Sequence, residues 1–246
     1  MKRLVLASGP IVFLVILGVA LGGCSAAVGS TQQIAGSGKL VTNDYDLSGF
    51  DSINAGSNFR LNVHPGDKFA VSVTADDNVM PILSVGRSGS ELRLSVKPGS
   101  YGFDKVTMKA DVILPALKAI ILDGNATAHV DAFTSANLTF QLKSNSIVDG
   151  SVAAGELLLD AGGNAQARLT GAADTMVIKG AGNAILNLGG LTAHNAVVNI
   201  NSNALATVDV VGKLDYSASG NAGLTYSGGA TLGEQKTGGN GWARQR

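Results

Sequence analysis

The side chains best spaced for acid–base chemistry are Asp160 and Lys179, which lie about 20 residues apart. If the chain stacks with that period, this carboxylate and amine are neighbours on one outer face. A polysaccharide lyase would need several carboxylates for calcium as well as a base, whereas an exposed ion pair accounts for one residue of each kind. We therefore predict no catalytic residue and no enzymatic activity.

The three histidines are His64, His129 and His194, and none has a partner at the spacing of a zinc ligand. His129 and His194 are expected to face solvent. The sequence has no Gly-x-Ser-x-Gly nucleophile motif, and its glycines lack the order of a dinucleotide-binding loop. These features predict that the protein holds no metal and no cofactor.

Cys24, the only cysteine, has the clearest covalent chemistry. It follows Leu-Gly-Gly at the end of an apolar run that begins after Lys2 and Arg3, which is the pattern of a secretory signal. The small residues before it resemble a bacterial lipobox, so residues 1–23 are predicted to be a lipoprotein signal peptide and Cys24 the site of lipidation, including palmitate. A retained membrane helix is the alternative, because a run of about 20 mostly uncharged residues can span a bilayer, although a Gly-Pro pair interrupts the run.

The lipid would attach the mature chain to a membrane. The outer membrane is favoured in a Gram-negative cell, because Ser25 rather than an aspartate follows the cysteine. Residues 24–38 are small and polar, which predicts a flexible tether. Loss of the signal peptide would leave 16 basic against 18 acidic residues, a net charge of −2. A chain with this net charge lacks the excess of basic residues that is typical of nucleic-acid-binding proteins, so no nucleic-acid partner is expected.

Six asparagines recur at a regular spacing of about 20 residues, each preceded by Gly or Ser and followed by Ala or Ser. They are Asn125, Asn145, Asn164, Asn183, Asn203 and Asn221. Such a period indicates a solenoid, and the alternation of apolar and polar residues on both sides of each asparagine indicates strands. The pattern predicts an all-β fold, a right-handed parallel β-helix with about 19–20 residues per rung.

Each asparagine is expected at a sharp corner between two short strands, where it would adopt the left-handed conformation. Its side-chain amide would bond to the asparagine of the next rung and form a ladder. The alternative role, six ligands for a sugar or a metal ion, explains the repeated spacing less directly. We expect one domain over residues 39–229, irregular over 39–118 and regular over 119–229, followed by a mobile tail over 230–246.

The residues two positions after the asparagines form an outward column. This column is mostly apolar and is a candidate interaction face. Its members are Ile147, Gln166, Ile185 and Leu205. Exposed apolar residues on a solenoid indicate a covered surface or a partner site. Coverage or self-association is favoured over sugar binding, because only 5% of the residues are aromatic and Trp242 belongs to the predicted tail.

From Gly36 to about Gly229 the sequence resembles the head GIN domain of auto-transporter adhesins, a family of bacterial envelope proteins. The resemblance rests on an opening segment, LSGFDSINAGSNFRLNVHPGDKFAVSVTADDNVMPIL, followed in order by ELRLSV and VILPALKAIILDGNATAHV. It implies a right-handed β-helix similar in shape to pectin lyases but without their catalytic residues, and it implies adhesion. The corners here are Gly-Asn-Ala more often than the family's Gly-Ser-Gly.

These features together predict a non-enzymatic, lipid-anchored protein of the cell envelope that serves adhesion or assembly. A polysaccharide-binding or polysaccharide-cleaving protein is the alternative. The expected partners are the membrane, through the lipid, and a protein or a cell-surface polysaccharide. Self-association also fits the apolar column.

Overall fold

The computed structural model describes residues 31–246, and most of this range consists of strands. Apolar and polar residues alternate along them, so one side of each strand is buried and the other meets solvent. The strands form a β-solenoid of about seven turns, which confirms the predicted all-β fold. The strands are β1 (Gln32–Ala35), β2 (Leu40–Tyr45), β3 (Ser52–Ala55), β4 (Arg60–Pro65), β5 (Ala70–Asp76), β6 (Leu83–Ser88), β7 (Glu91–Val96), β8 (Tyr101–Asp104), β9 (Met108–Leu114), β10 (Ala119–Leu122), β11 (Thr127–Leu142), β12 (Ile147–Ala161), β13 (Gln166–Gly180), β14 (Ile185–Ile200), β15 (Leu205–Val210), β16 (Lys213–Gly220), β17 (Gly223–Ser227), β18 (Thr231–Gly239) and β19 (Trp242–Gln245). A short 3-10 helix, Met80–Ile82, lies between β5 and β6.

Successive rungs pair in parallel, so that equivalent positions of the repeat are neighbours. Gln166, for example, lies between Ile147 on one side and Ile185 on the other. The strands are longer than expected, because β11 to β14 each run for 15 or 16 residues. Pairing between rungs continues where a turn was expected, as between Ala173 and Ala193. One rung is therefore nearly continuous strand from one corner to the next.

Small side chains fill the inside of each corner. The residue after the asparagine is fully buried, and these residues are Ala126, Ser146, Ala165, Ala184, Ala204 and Ala222. Apolar residues three positions after the asparagine, such as Val148 and Leu186, and five positions before it, such as Phe140 and Ile178, add to the core. Burial of such surface stabilises a fold by about 25 cal/mol per Å². The inward columns predicted from the repeat thus form the buried core of the solenoid.

The left-handed residue of each corner is the one before the asparagine. The φ angle is 59° at Ser144 and 70° at both Gly163 and Gly182. The prediction of a left-handed asparagine is therefore wrong. The chain reverses through a four-residue turn such as Gly162 to Ala165, in which the last N–H donates to the first C=O at 3.3 Å. A positive φ at the second residue alone is the pattern of a type II′ turn, a position that glycine tolerates best.

The asparagine side chains form a ladder along the exposed outside of the corners. The Nδ2 of each asparagine donates to the Oδ1 of the asparagine on the preceding rung, at 2.9 to 3.0 Å. All six predicted asparagines belong to this ladder, and Asn58 and Asn240 extend it at its two ends. The main chain is paired there as well, because the N–H of Asn183 donates to the C=O of Gly163 at 2.7 Å. Side chain and main chain thus hold neighbouring rungs in one register.

An irregular β part covers the N-terminal end of the solenoid. β2 pairs antiparallel with β5, and β5 pairs antiparallel with β9, so the first parallel rungs have a covered edge. β1 pairs with β8, which places part of the predicted tether in an ordered strand. The buried carboxylate of Asp76 accepts hydrogen bonds from the backbone N–H groups of Gly38 at 2.7 Å and Thr107 at 2.6 Å. This carboxylate links the segment after β1 to the rest of the irregular β part.

The C-terminal segment continues the solenoid. β18 pairs in parallel with β16, and β19 pairs in parallel with β17. Asn240 forms a further corner, and its backbone N–H donates to the C=O of Gly220 at 2.6 Å. The structure therefore corrects the predicted mobile tail over 230–246. Its glycines belong to a corner, with a φ of 65° at Gly239.

We expect Gly182→Ala to lower the free energy of unfolding by about 1 to 2 kcal/mol, because an L side chain is disfavoured in the left-handed region. The new Cβ would also lie 2.7 Å from the carbonyl oxygen of Gly163. Gly162→Ala is the matched control, since a Cβ there meets no atom within 4 Å and should cost less than about 0.5 kcal/mol. Urea unfolding compares the two variants, and equal midpoints would contradict the corner geometry.

Candidate binding face

The strand segments that directly follow the asparagine corners lie side by side, and we call their outward surface the front face. Parallel register places the outward residues of these segments in columns that run from rung to rung. The isoleucine column comprises Ile147, Gln166, Ile185, Leu205, Gly223 and Trp242. The polar column comprises Asn62, His129, Asp149, Arg168, Asn187, Thr207, Thr225 and Arg244. The two columns are adjacent, because their residues are two positions apart along each strand.

The isoleucine column contains the four residues predicted to form an interaction face. Ile147, Ile185 and Leu205 expose 36, 48 and 45% of their surface, respectively. Trp242 extends the column, and its indole lies against Gly223, where a Cβ would overlap the ring. Sequence reasoning missed Trp242 because the last segment was expected to be a tail. The apolar part of the front face therefore continues to the last rung.

A chain of hydrogen bonds crosses three rungs at the N-terminal end of the front face. His64 Nδ1 and Asp131 Oδ2 are 2.5 Å apart, and Asp131 Oδ1 is 3.3 Å from His129 Nε2. His129 Nδ1 is 2.5 Å from Asp149 Oδ2. Sequence reasoning missed this cluster because His64 lies in the irregular part, 67 residues from Asp131. The cluster joins β4 to β11 and β12.

Both ring nitrogens of His129 face carboxylates, and this arrangement favours the imidazolium form. The hydrogen bond with Asp149 raises the pKa of His129, and the charge of Asp131 raises it further. The hydrogen bond with His64 lowers the pKa of the Asp131 carboxyl. A general base needs an unprotonated nitrogen that can reach its substrate. His129 is therefore held between two carboxylates, in a position that does not suit a catalytic base.

Beside this cluster the front face forms a shallow groove of about 330 Å³. Its outward side chains are Ile147, Asp149, Gln166, Arg168, Ile185 and Asn187. Asp149 already bonds to His129. Gln166, Arg168 and Asn187 make no side-chain hydrogen bond or ion pair with any residue in the described range. The groove thus offers one cation, two amides and apolar walls to a ligand.

The remaining candidates for chemistry do not form a site within residues 31–246. Asp160 and Lys179 are neighbours in register, as predicted, but their charged groups are not within the 4.0 Å of an ion pair. In this range no group of three or more His, Cys, Asp or Glu residues could hold a metal ion, and no helix is long and apolar enough to cross a membrane. Cys24 and the predicted signal peptide lie outside the described residues.

The model of a protein family described as "Putative auto-transporter adhesin, head GIN domain" matches residues 49–230. The chain belongs to this family. The matched range of the head GIN domain runs from the first parallel rungs to the end of β17 and so includes most of the front face. The family description indicates an adhesion-like role at the cell surface. A comparison with curated proteins gives no match.

Several solved structures share the fold of this head GIN domain. A putative adhesin from Bacteroides fragilis NCTC 9343 is 20% identical, with a TM-score of 0.72 over 86% of this chain and 99% of that one. A putative adhesin from Parabacteroides merdae ATCC 43184 is 17% identical, with a TM-score of 0.70 over 88% and 100%. A putative lipid binding protein from Parabacteroides distasonis ATCC 8503 is 19% identical, with a TM-score of 0.67 over 87% and 100%. At these identities the likeness establishes the fold alone.

The raised pKa of His129 predicts that the cluster makes the head GIN domain more stable at neutral pH than at alkaline pH. A raised folded-state pKa contributes stability that is complete below the ordinary value of 6.5 and is lost as the pH rises through the folded-state value. We therefore expect His129→Gln to lower the urea midpoint more at about pH 6 than at about pH 9. The hydrogen bond with His64 lowers the pKa of the Asp131 carboxyl, so this carboxylate stays ionised across the range.

The matched control is His194→Gln, because the His194 ring makes no hydrogen bond within residues 31–246. Urea midpoints of the wild type and both variants at the two pH values test the prediction. A loss for His129→Gln that is the same at both pH values would show that the ring acts through packing and not through its charge.

Proposed function

We propose that this head GIN protein is a non-enzymatic, lipid-anchored adhesion or assembly protein of the cell envelope that binds its partner through the front face. The observation that carries the proposal is the isoleucine column, in which Ile147, Ile185, Leu205 and Trp242 are exposed apolar side chains on one face. Contiguous apolar patches on a soluble surface usually mark an interaction site. The descriptions of the family and of two structural neighbours as adhesins support the same role.

The architecture suits the display of a binding surface. Main-chain pairing and the asparagine ladder set the spacing of the rungs, so outward side chains are held on a fixed frame. Sites on strands are more precise than sites on loops. An adhesive face of this kind gains affinity from many modest contacts repeated along the solenoid.

The polar column supports binding more than catalysis. His129 is held between Asp131 and Asp149, and a nitrogen in that position cannot also accept a proton from a substrate. Asp160 and Lys179 lie at the far ends of β12 and β13, in the segments just before the next corners, and neither lines the front-face groove. The most polar part of the front face therefore has the chemistry of a recognition surface.

The lipid anchor rests on the sequence around Cys24. A charged start, an apolar run and small residues before a single cysteine are together the pattern of a lipoprotein signal. Acyl chains on the mature N-terminus would supply the two or more signals that stable membrane attachment requires. In a Gram-negative cell the outer membrane is the proposed destination.

Adhesion through the front face predicts that Ile185→Glu and Leu205→Glu reduce attachment of protein-coated beads to cells of the source bacterium. A charge in the isoleucine column would have to be desolvated against an apolar partner. Val197→Glu is the matched control, because Val197 is also apolar and 36% exposed. It lies near the end of β14, before the next corner and outside the front face. Bead counts per cell measure the effect. Equal losses for all three variants, or no loss, would be incompatible with a front-face adhesin.

Lipidation predicts that Cys24→Ala removes the protein from the detergent-extracted lipoprotein fraction. The acyl transfer needs the thiol, and Cys24 is the only cysteine of the chain. Metabolic labelling with a clickable palmitate analogue provides the readout, with Ser25→Ala as the control that keeps the sulfur. An unlabelled wild type would favour the retained membrane helix instead.

A further inference from the structure

The geometry points to a linear polysaccharide with carboxylates spaced along a hydroxyl-rich chain as the ligand of the front face, lying along the polar column from Arg168 to Arg244. This inference rests on the proposed use of the front face for adhesion and names the chemistry of the partner. It differs from the sequence-based preference for coverage or self-association. The observations that favour it are the two arginines, the amides of Gln166 and Asn187, and the apolar side chains of the isoleucine column.

The first of these observations is the environment of Arg168. Its guanidinium makes no hydrogen bond or ion pair within residues 31–246, and the nearest carboxylate in its column, Asp149, is bonded to His129. A guanidinium binds a carboxylate through two parallel N–H···O bonds, which adds specificity as well as energy. Arg168 is therefore the position in the groove where a carboxylate of the ligand would bind.

The groove around Arg168 matches a sugar ring better than a simple acid. Gln166 and Asn187 each present a donor and an acceptor, as sugar hydroxyls do, and both are unengaged within the described range. Ile147 and Ile185 lie on either side of Gln166 in the isoleucine column. They offer an apolar surface to the C–H groups of the ring. A ligand with one carboxylate, several hydroxyls and an apolar face satisfies all of these side chains.

The repeat extends the site into one for a polymer. Four rungs after Arg168 the same column contains Arg244, which places the two arginines about 19 Å apart at the strand spacing of about 4.8 Å. Hydroxyl side chains, Thr207 and Thr225, lie between them and line a second groove of about 480 Å³ with Arg244. The Arg244 guanidinium stacks 4.7 Å from the centre of the Trp242 ring and makes no ion pair in the described range. The face thus repeats the pairing of an arginine with an apolar neighbour.

The charge of the front face argues against a dense polyanion such as polyphosphate or nucleic acid. Asp209 lies beside the polar column, and its carboxylate accepts hydrogen bonds from the hydroxyls of Thr192 and Ser227, with no basic partner within the described residues. Asp149 adds a second carboxylate near Arg168. These anions would repel a ligand with a charge at every unit, whereas a chain with spaced carboxylates can place them only at the arginines.

The experiment measures binding of hyaluronan, in which every second sugar is a uronate, to the full-length protein in detergent. We expect fragments long enough to reach both arginines to bind at least about tenfold more tightly than fragments of two sugars. Arg168→Gln and Arg244→Gln should each raise the Kd of the long fragment by about ten- to a hundredfold. Arg168→Lys should recover only part of the affinity, because an ammonium cannot form the paired bonds.

Lys179→Gln is the matched control, because it removes one exposed positive charge from the end of β13, outside the front face. It should leave the Kd unchanged. Neutral dextran should not bind, and polyphosphate should bind more weakly than hyaluronan. Equal losses for Lys179→Gln and Arg168→Gln, or stronger binding of polyphosphate, would overturn the inference in favour of a non-specific charge effect.

The hyaluronan-binding test and the bead-attachment test of the proposed function can fail independently of each other. If hyaluronan fails to bind while the isoleucine-column variants still reduce bead attachment, the front face is adhesive but its partner is not a carboxylated polysaccharide. If hyaluronan binds through the two arginines while bead attachment does not depend on the front face, the ligand assignment stands and adhesion to the source cells fails.

Discussion

The structure depends on the close approach of two backbones at every asparagine corner. At each corner an N–H of one rung donates to a C=O of the rung before it, at 2.7 Å between Asn183 and Gly163. A Cβ on Gly182 would lie 2.7 Å from that same carbonyl oxygen, so a side chain is difficult to accommodate there. Glycine therefore occupies the position before the asparagine at most corners, and Ser144 and Ser202 show that a small side chain is tolerated at the others. This hydrogen bond aligns the strand segments beside the corner, whereas the pairing shifts by one residue farther along the rung, as between Arg168 and Thr170.

The backbone pairing at the corners also aligns the outward side chains that form the front face. Outward side chains contribute little to the core, but they are placed one rung apart in straight columns because the backbone is paired. Residues that are one period apart in sequence therefore become neighbours, as Asp149 and Arg168 do. Burial of the inward side chains stabilises the solenoid, and the hydrogen bonds at the corners align neighbouring rungs. The outer surface is thus free to carry chemistry that the fold does not need.

The repeat made much of the fold predictable, and the same reasoning shows where prediction failed. The spacing of the asparagines predicted parallel rungs, and the inward positions followed from alternation. The left-handed residue was misplaced because both positions of the Gly-Asn pair tolerate that conformation, and only the backbone approach decides between them. The last rung was missed although Asn240 follows Asn221 by one further period of the repeat, because its glycines were interpreted as mobility. His64 and Asp131 could not have been paired from sequence, since no period relates them.

The position of Trp242 changes the weight of the functional alternatives. As part of a tail it could not contribute to a repeated surface, and the shortage of aromatic residues argued against sugar binding. In the structure it occupies the last place in the isoleucine column, and Arg244 stacks on its ring. Gly223 has no side chain, so the indole can lie against the sheet in line with Leu205 and Ile185. Because Trp242 belongs to the last rung, the isoleucine column is an elongated surface. Arg168 lies near one end of it and Arg244 near the other. A surface of that shape favours an extended ligand over a compact one.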